Sequence, residues 1–231
     1  MRKLLILFVV LVILLVAADR ISAYVAQRKI ASRVAASYHF PTQPTVHIKG
    51  FPFLTQVVAG RYKEVDITLS SLTAGGMQMR DLHARFTGVN APLNRVIGNG
   101  QGSMTADRAA ATAFIPFASV QQRLPPGIKL APDGGDLKLS GKLGYLGLDV
   151  PVSAAVSLRV SNSAIEVAPR HVTVAGGVPV VVPTELLGNR LAIAMPVRDL
   201  PMHLQIRGVR VMTGGFEVTA SAQGVEFQNN G

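Results

Sequence analysis

The sequence predicts a mainly β chain with a few helices, folded as an antiparallel sheet that is bent along its length. Three observations carry that reading. The stretch from Leu146 to Val160 alternates strictly, Gly and Pro punctuate the chain between such stretches, and the alternation slips by one residue at two places. In the first of these, Leu146, Leu148, Val150, Val152, Ala154, Val156, Leu158 and Val160 are apolar, while Asp149, Pro151, Ser153, Ser157 and Arg159 lie among the residues between them. A two-residue period puts alternate side chains on opposite faces of an extended strand. At ~3.3 Å per residue the run is far longer than an ordinary strand of ~20 Å, so either Pro151 divides it or the sheet is unusually long. Burying its eight even-numbered side chains is worth at most ~10–20 kcal/mol before entropy. Such a face needs a second layer, a curled sheet or lipid to cover it.

Other strands follow the same rule. Val65, Ile67 and Leu69 alternate with Asp66, Thr68 and Ser70, and Leu82, Ala84 and Phe86 alternate with Asp81, His83 and Arg85. Leu137 to Leu143, Ile165 to Val174 with an interruption at Pro169, Met202 to Ile206 and Phe216 to Ala222 continue the pattern. Gly75 and Gly76, Gly134 and Gly135, Gly176 and Gly177, and Gly214 and Gly215 mark turns. The period steps by three from Met79 to Leu82 and from Ile206 to Val209, the signature of bulges that bend a strand.

The chain opens with Met1, Arg2 and Lys3, and then Leu4 to Ala18 carries no polar side chain. A basic start and an apolar run are the layout of an export signal or a membrane anchor, and Val16, Ala17 and Ala18 leave cleavage open. Residues 1–18 are therefore read as signal peptide or N-terminal anchor, and 19–231 as one extracytoplasmic domain, with Arg2 and Lys3 kept inside. From Asp19 to Tyr38 the pattern becomes helical. Ala23, Ala26, Ile30, Val34 and Tyr38 form a stripe, with Arg28, Lys29 and Arg33 elsewhere, and Pro41 and Pro44 end the helix. Such a helix packs on the sheet or lies along anionic headgroups. A short strand at Thr45 to Lys49 precedes a Pro-led turn at Pro52, with Phe53, Leu54, Val57 and Val58 apolar and Gly60 closing it. Similar turns at Pro116 and Pro183, at near-equal spacing, suggest a threefold repeat.

Composition excludes several chemistries. Hydrophobic residues at 48% and charged ones at 16% rule against disorder. Absence of Cys removes disulfides, thiolate catalysis and Cys-ligated metal. His39, His47, His83, His171 and His203 have no metal-ligand spacing, so no metal or other cofactor is expected. No nucleophile elbow, phosphate loop or dinucleotide fingerprint occurs, and Gly98 to Gly102 reads as a tight turn. The net charge of +10 points to phosphate partners. Its scattered placement, without a basic run or aromatic motif, argues for lipid headgroups over nucleic acid.

Gly50, Phe51, Pro52, Phe53, Leu54, Thr55 with Gly60, Arg61, Tyr62 resembles the first signature of the actinobacterial LmeA family of phospholipid-binding proteins. Pro196 to Val225, with Leu200, Pro201, Leu204, Ile206, Val209 and the Gly214–Gly215 turn, resembles its second. The resemblance implies a curved antiparallel sheet wrapped around a helix, of the tubular lipid-binding class (BPI/SMP-like). It also implies a non-enzymatic protein of the periplasm or cell envelope, at the extracytoplasmic face of the inner membrane of mycobacteria or relatives. Phosphoinositides and other phospholipids are the expected ligands, mannan elongation of lipomannan and lipoarabinomannan the expected role, and a membrane glycosyltransferase an expected partner. On this reading Phe51, Phe53, Leu54, Val57, Phe114, Phe117 and Leu187 contact acyl chains, and Arg61, Lys63 and Arg95 meet phosphate. Two rivals are a structural or adaptor protein with a filled core that binds a membrane enzyme, and an envelope enzyme acting on lipid-linked sugars.

Overall fold

The computed structural model describes residues 1–37, 40, 42–74, 77–92, 104–122, 124, 127–134, 136–145, 148–161, 164–174, 194–196 and 204–227. The chain opens with helix α1 (Arg2–Ser37), strand β1 (Thr45–Lys49), helix α2 (Phe53–Ala59) and strands β2 (Arg61–Ala74), β3 (Met77–Asn90) and β4 (Met104–Pro116). Helix α3 (Phe117–Gln121) follows, then β5 (Lys129–Asp133), β6 (Asp136–Tyr145), β7 (Leu148–Ser161), β8 (Ala164–Val174), β9 (Ala194–Pro196), β10 (Gln205–Met212) and β11 (Gly215–Phe227). The strands form two sheets, one of six in the order β1-β2-β3-β4-β11-β10 and one of five in the order β5-β6-β7-β8-β9. The chain is mainly β, and its larger sheet is curved, antiparallel and open. The second Pro-led turn, at Pro116, leads α3 as Pro52 leads α2, each proline standing just before the first helical residue. The third, at Pro183, lies outside the described residues.

Two compact units divide the residues. One takes Met1–Ser70, His83–Ala111 and Ala222–Gly231, the other Ser71–Leu82 and Thr112–Ser221. In the first unit α1 packs on β1 and α2. What the sequence reads as an apolar segment followed by a separate helix is one continuous helix of 36 residues, ~54 Å long. Leu4 to Val16 is exposed throughout, and the helix as a whole is long and apolar enough to cross a membrane. Of the stripe, Ala23 is buried and Ala26, Ile30 and Val34 are half-buried, while Tyr38 lies outside the described residues; Ala31 is buried beside them. The Phe40 amide bonds back to the Ala35 carbonyl at 3.0 Å and closes the helix before the prolines.

In this unit β1 and β2 pair so that Val46 and Ile48 lie opposite Ile67 and Val65 on one face, while His47 and Lys49 lie opposite Asp66 and Glu64 on the other. The polar face carries a network in which the Lys49 ammonium sits 2.6 Å from both Glu64 and Asp66, and Arg85 reaches the same two carboxylates at 3.1 and 3.0 Å. Burial alone would raise the Asp66 carboxyl, but hydrogen bonds from Lys49 and Arg85 outweigh it and hold Asp66 below its ordinary value. Asp66, then Glu64, hold the Lys49 ammonium above its own.

In the second unit the long strand is β7, and Pro151 does not divide it. Pro151 stands opposite Lys142 in the β6–β7 ladder. Where β6 and β7 pair around Leu137 and Val156, their apolar face is covered by other parts of the chain. Leu137, Leu139, Ala154 and Val156 form a core with Ile115, Val120 and Phe216, and Phe117 packs edge-on against Phe216 at 4.9 Å. Leu137 and Val156 are almost completely enclosed. The Phe117 amide bonds to the Gly214 carbonyl at 2.9 Å, and the Gln121 side chain accepts the Leu130 amide at 2.9 Å, which ties α3 to β5.

Irregularities of the backbone fall where the period slips. Between Ile206 and Gly208 the register with β11 shifts, leaving Arg207 as the extra residue, and Asp81 takes φ 51 between Met79 and Leu82. Further irregularities accompany these: the β7–β8 register shifts between Ala155 and Val156, opposite Pro169, and two glycines repeat the three-residue step. Gly88 (φ 64) separates buried Phe86 from buried Val89, and Gly224 (φ 60) separates Ala222 from Val225. Both repeat the three-residue step around a glycine, a signal present in the sequence.

Candidate lipid-contacting site

The segment Gly50 to Lys63 is built by side chains that close backbone bonds around α2. Gly50 has φ 111, and a Cβ there would fall 2.6 Å from the Gln56 amide nitrogen. The Gln56 side chain, itself buried, accepts the Lys63 amide at 3.0 Å and donates to the Pro52 carbonyl at 3.5 Å. Thr55 donates to the same carbonyl at 2.9 Å. Gly60 ends the helix with φ 66 and accepts the Ala91 amide at 2.8 Å. Phe53 turns inward and meets the Tyr62 ring at 6.4 Å, and burial raises the Tyr62 phenol above its ordinary value. The N-terminal end of α2 is held by α1: the Asp19 carboxylate, only 3% exposed, accepts the Leu54 amide at 2.8 Å. Its other oxygen is 2.6 Å from Arg20, whose guanidinium lies 5.0 Å from the centre of the Phe51 ring.

The alternation of β2 sorts the remaining candidates. Arg61, Lys63, Val65, Ile67 and Leu69 share one face of the strand. Along it, exposure falls from the exposed cations through half-buried Val65 and Ile67 to Leu69, which is almost fully buried. A row ~26 Å long therefore has two positive charges at the α2 end and an apolar remainder. Such a gradient suits a molecule with an anionic head and hydrocarbon tails.

The sequence-predicted site residues divide accordingly. Phe51 and Leu54 are exposed, Phe53 is buried and Val57 half-buried, all within the α2 segment. Phe114 and Phe117 are half-buried in the second unit, where Phe117 belongs to the rim of a filled core. Arg61 and Lys63 lie together on β2, whereas Arg95 and Leu187 fall outside the described residues. Sequence reasoning missed Asp19, Arg20, Gln56 and Val58. Asp19 is the first ionisable residue after Leu4 to Ala18, which is the signal that would have found it. Among the described residues, no group of three or more His, Cys, Asp or Glu is placed to hold a metal ion.

A family model, LmeA-like phospholipid-binding, matches residues 17–221. The chain belongs to the LmeA-like phospholipid-binding family. The match takes in the end of the apolar run, the whole α2 segment, β10 and the first half of β11, so it contains the first stretch that resembles an LmeA signature and all but the last four residues of the second. No curated protein and no solved structure matches the chain. Membership in the LmeA-like family makes phospholipid the ligand class, and the apolar half of α1 is compatible with a membrane anchor.

Proposed function

We propose that the protein is a non-enzymatic phospholipid carrier or receptor held by α1 at the extracytoplasmic face of the inner membrane. Its ligands include phosphoinositides, and it supports mannan elongation of lipomannan and lipoarabinomannan, working with a membrane glycosyltransferase. The observation that carries the reading is the row on β2. Arg61 and Lys63 receive the phosphate, and the hydrocarbon lies along half-buried Val65 and Ile67, stopping short of Leu69, which the chain's own side chains enclose. Phe51, Phe53, Leu54 and Val57 frame the entry. The core around Leu137, Leu139, Ala154 and Val156 is not part of this site, because the chain itself fills it.

Native mass spectrometry of the full chain, purified from its own host, tests the reading. Bound phospholipid is expected, and its retention should fall when Arg61 and Lys63 are both replaced by Ser. Protein that emerges empty counts against lipid carriage. A second reading, an adaptor with a filled core that binds a membrane enzyme, is favoured by the tightly packed core around Leu137 and Val156. Empty protein that travels in a stable complex with a glycosyltransferase would support it.

A further inference from the structure

The apolar residues of the α2 segment do not all turn inward. Phe51 is 58% exposed, Leu54 40% and Val58 85%. Leu54 and Val58 are one turn apart and share a face of α2, so the exposure is a patch and not a scatter. The patch has a fixed level relative to α1. Leu54 is bonded through its amide to Asp19, and Phe51 lies against Arg20. Asp19 and Arg20 are the first charged residues after the uninterrupted apolar run of Leu4 to Ala18.

The dimensions agree with a bilayer. From Lys3 to Arg20 the helix rises ~25 Å, and cationic side chains at either end extend their reach to the headgroups of a hydrocarbon layer ~30 Å thick. A helix that crosses at this run leaves Asp19 and Arg20 at the water boundary, and their two contacts bring Phe51 and Leu54 to the same depth. The next turn of α1 presents Tyr24 with Arg28 at 5.2 Å from its ring, an aromatic and a cation of the kind found at membrane interfaces. Arg20, Arg28 and Lys29 are exposed there, which matches anionic headgroups.

We propose that Phe51, Leu54 and Val58 form a bilayer-docking surface, inserted into the outer leaflet of the same anionic membrane that α1 crosses. This rests on the reading of α1 as a membrane anchor and adds to it a second contact. The Asp19–Leu54 bond sets the depth of insertion. Docking would hold the cationic end of the β2 row near the headgroups from which a phospholipid is taken.

The chain contains no Trp, so a single introduced Trp reports cleanly on depth. Full-length Val58→Trp and Leu11→Trp proteins are reconstituted into vesicles of phosphatidylglycerol and phosphatidylcholine, with and without lipids brominated on their acyl chains. Val58 is so exposed that the change should leave the fold intact, which circular dichroism verifies. Expected is loss of most emission at both positions with brominated lipid, and shielding of both from aqueous iodide. Leu11→Trp quenched by brominated lipid while Val58→Trp is quenched only by iodide would overturn docking and leave the anchor standing. Val58→Trp shielded from both quenchers would mean that a second copy or another protein covers the patch, and would also overturn it. Quenching at Val58→Trp that survives extraction into detergent would come from a bound lipid molecule and not from the bilayer, again overturning docking. Failure of the Leu11→Trp signal itself would remove the anchor, and the docking proposal with it.

Discussion

Gly60 shows how one residue fixes the candidate site. It ends α2 in the left-handed region at φ 66, and a Cβ there would stand 3.2 Å from the Pro92 Cα. Gly60→Ala therefore meets two obstacles, the backbone conformation and a neighbour that is itself main chain. The conformational cost alone is ~1–2 kcal/mol. Gly134→Ala makes the comparison, because Gly134 has a similar φ of 57 with nothing within 4 Å of its would-be Cβ. Thermal or denaturant unfolding should show Gly60→Ala losing more stability than Gly134→Ala. Equal losses would mean that Pro92 yields and the close approach is immaterial. Asp19 is the other residue whose position decides much, since its carboxylate closes the backbone of α2 while its neighbour Arg20 faces Phe51.

Elements of this chain were legible where their side chains alternate. The strands around Val65, Leu82, Leu137, Val156 and Phe216 are all present, and all but the one around Val156 extend beyond the alternating core of their sequence at both ends. β4, the strand after the turn read at Gly98 to Gly102, had no legible bounds, because most of it is an alanine-rich run, Ala106 and Ala109 to Ala111 among it, poor in the branched and aromatic residues a strand ordinarily shows. Its place in the ladder between β3 and β11 decides its conformation where local preference does not. The continuity of α1 was obscured by its change of character at Asp19, although nothing between Ala18 and Ile21 breaks a helix. The site was legible only in part. Spacing revealed the α2 segment, but the capping role of Asp19 and the clamp of Gln56 are contacts over distances in sequence that no period encodes.

The paired strands β1 to β3 also make a claim about pH. Asp66 has its folded pKa depressed, so its contribution is present at neutral pH and is lost as pH falls below the unfolded value and through the folded one. Lys49 has its folded pKa raised, so its contribution is full below the unfolded value and is lost as pH rises through the folded one. Lys49→Met should lower the melting temperature by a few degrees at neutral pH, and the gap to the wild type should close at both extremes. Melting curves across pH test this. A gap independent of pH would assign the loss to the packing of the lysine stem and not to its charge.

At the scale of the whole molecule, the proposed function has the row on β2 and the net charge of +10 select different parts of a phospholipid. The apolar row answers to hydrocarbon, which nearly every membrane lipid carries, and so discriminates poorly. Discrimination must come from the head, where exposed Arg61 and Lys63 act within a positive field summed over the chain. Lipid extracted from the purified full-length protein should therefore be richer in anionic than in zwitterionic phospholipid, relative to the membrane from which the protein was taken. Because these cations are exposed, salt in the wash should weaken the preference. Raising it from ~0.1 M to ~1 M shortens the screening length from ~10 Å to ~3 Å. Hydrocarbon contacts do not weaken under the same change, so total bound lipid should fall less than its anionic share. A bound fraction with the same head composition as the membrane, at every salt concentration, would show that the tails alone are recognised and that the charge serves the membrane surface instead.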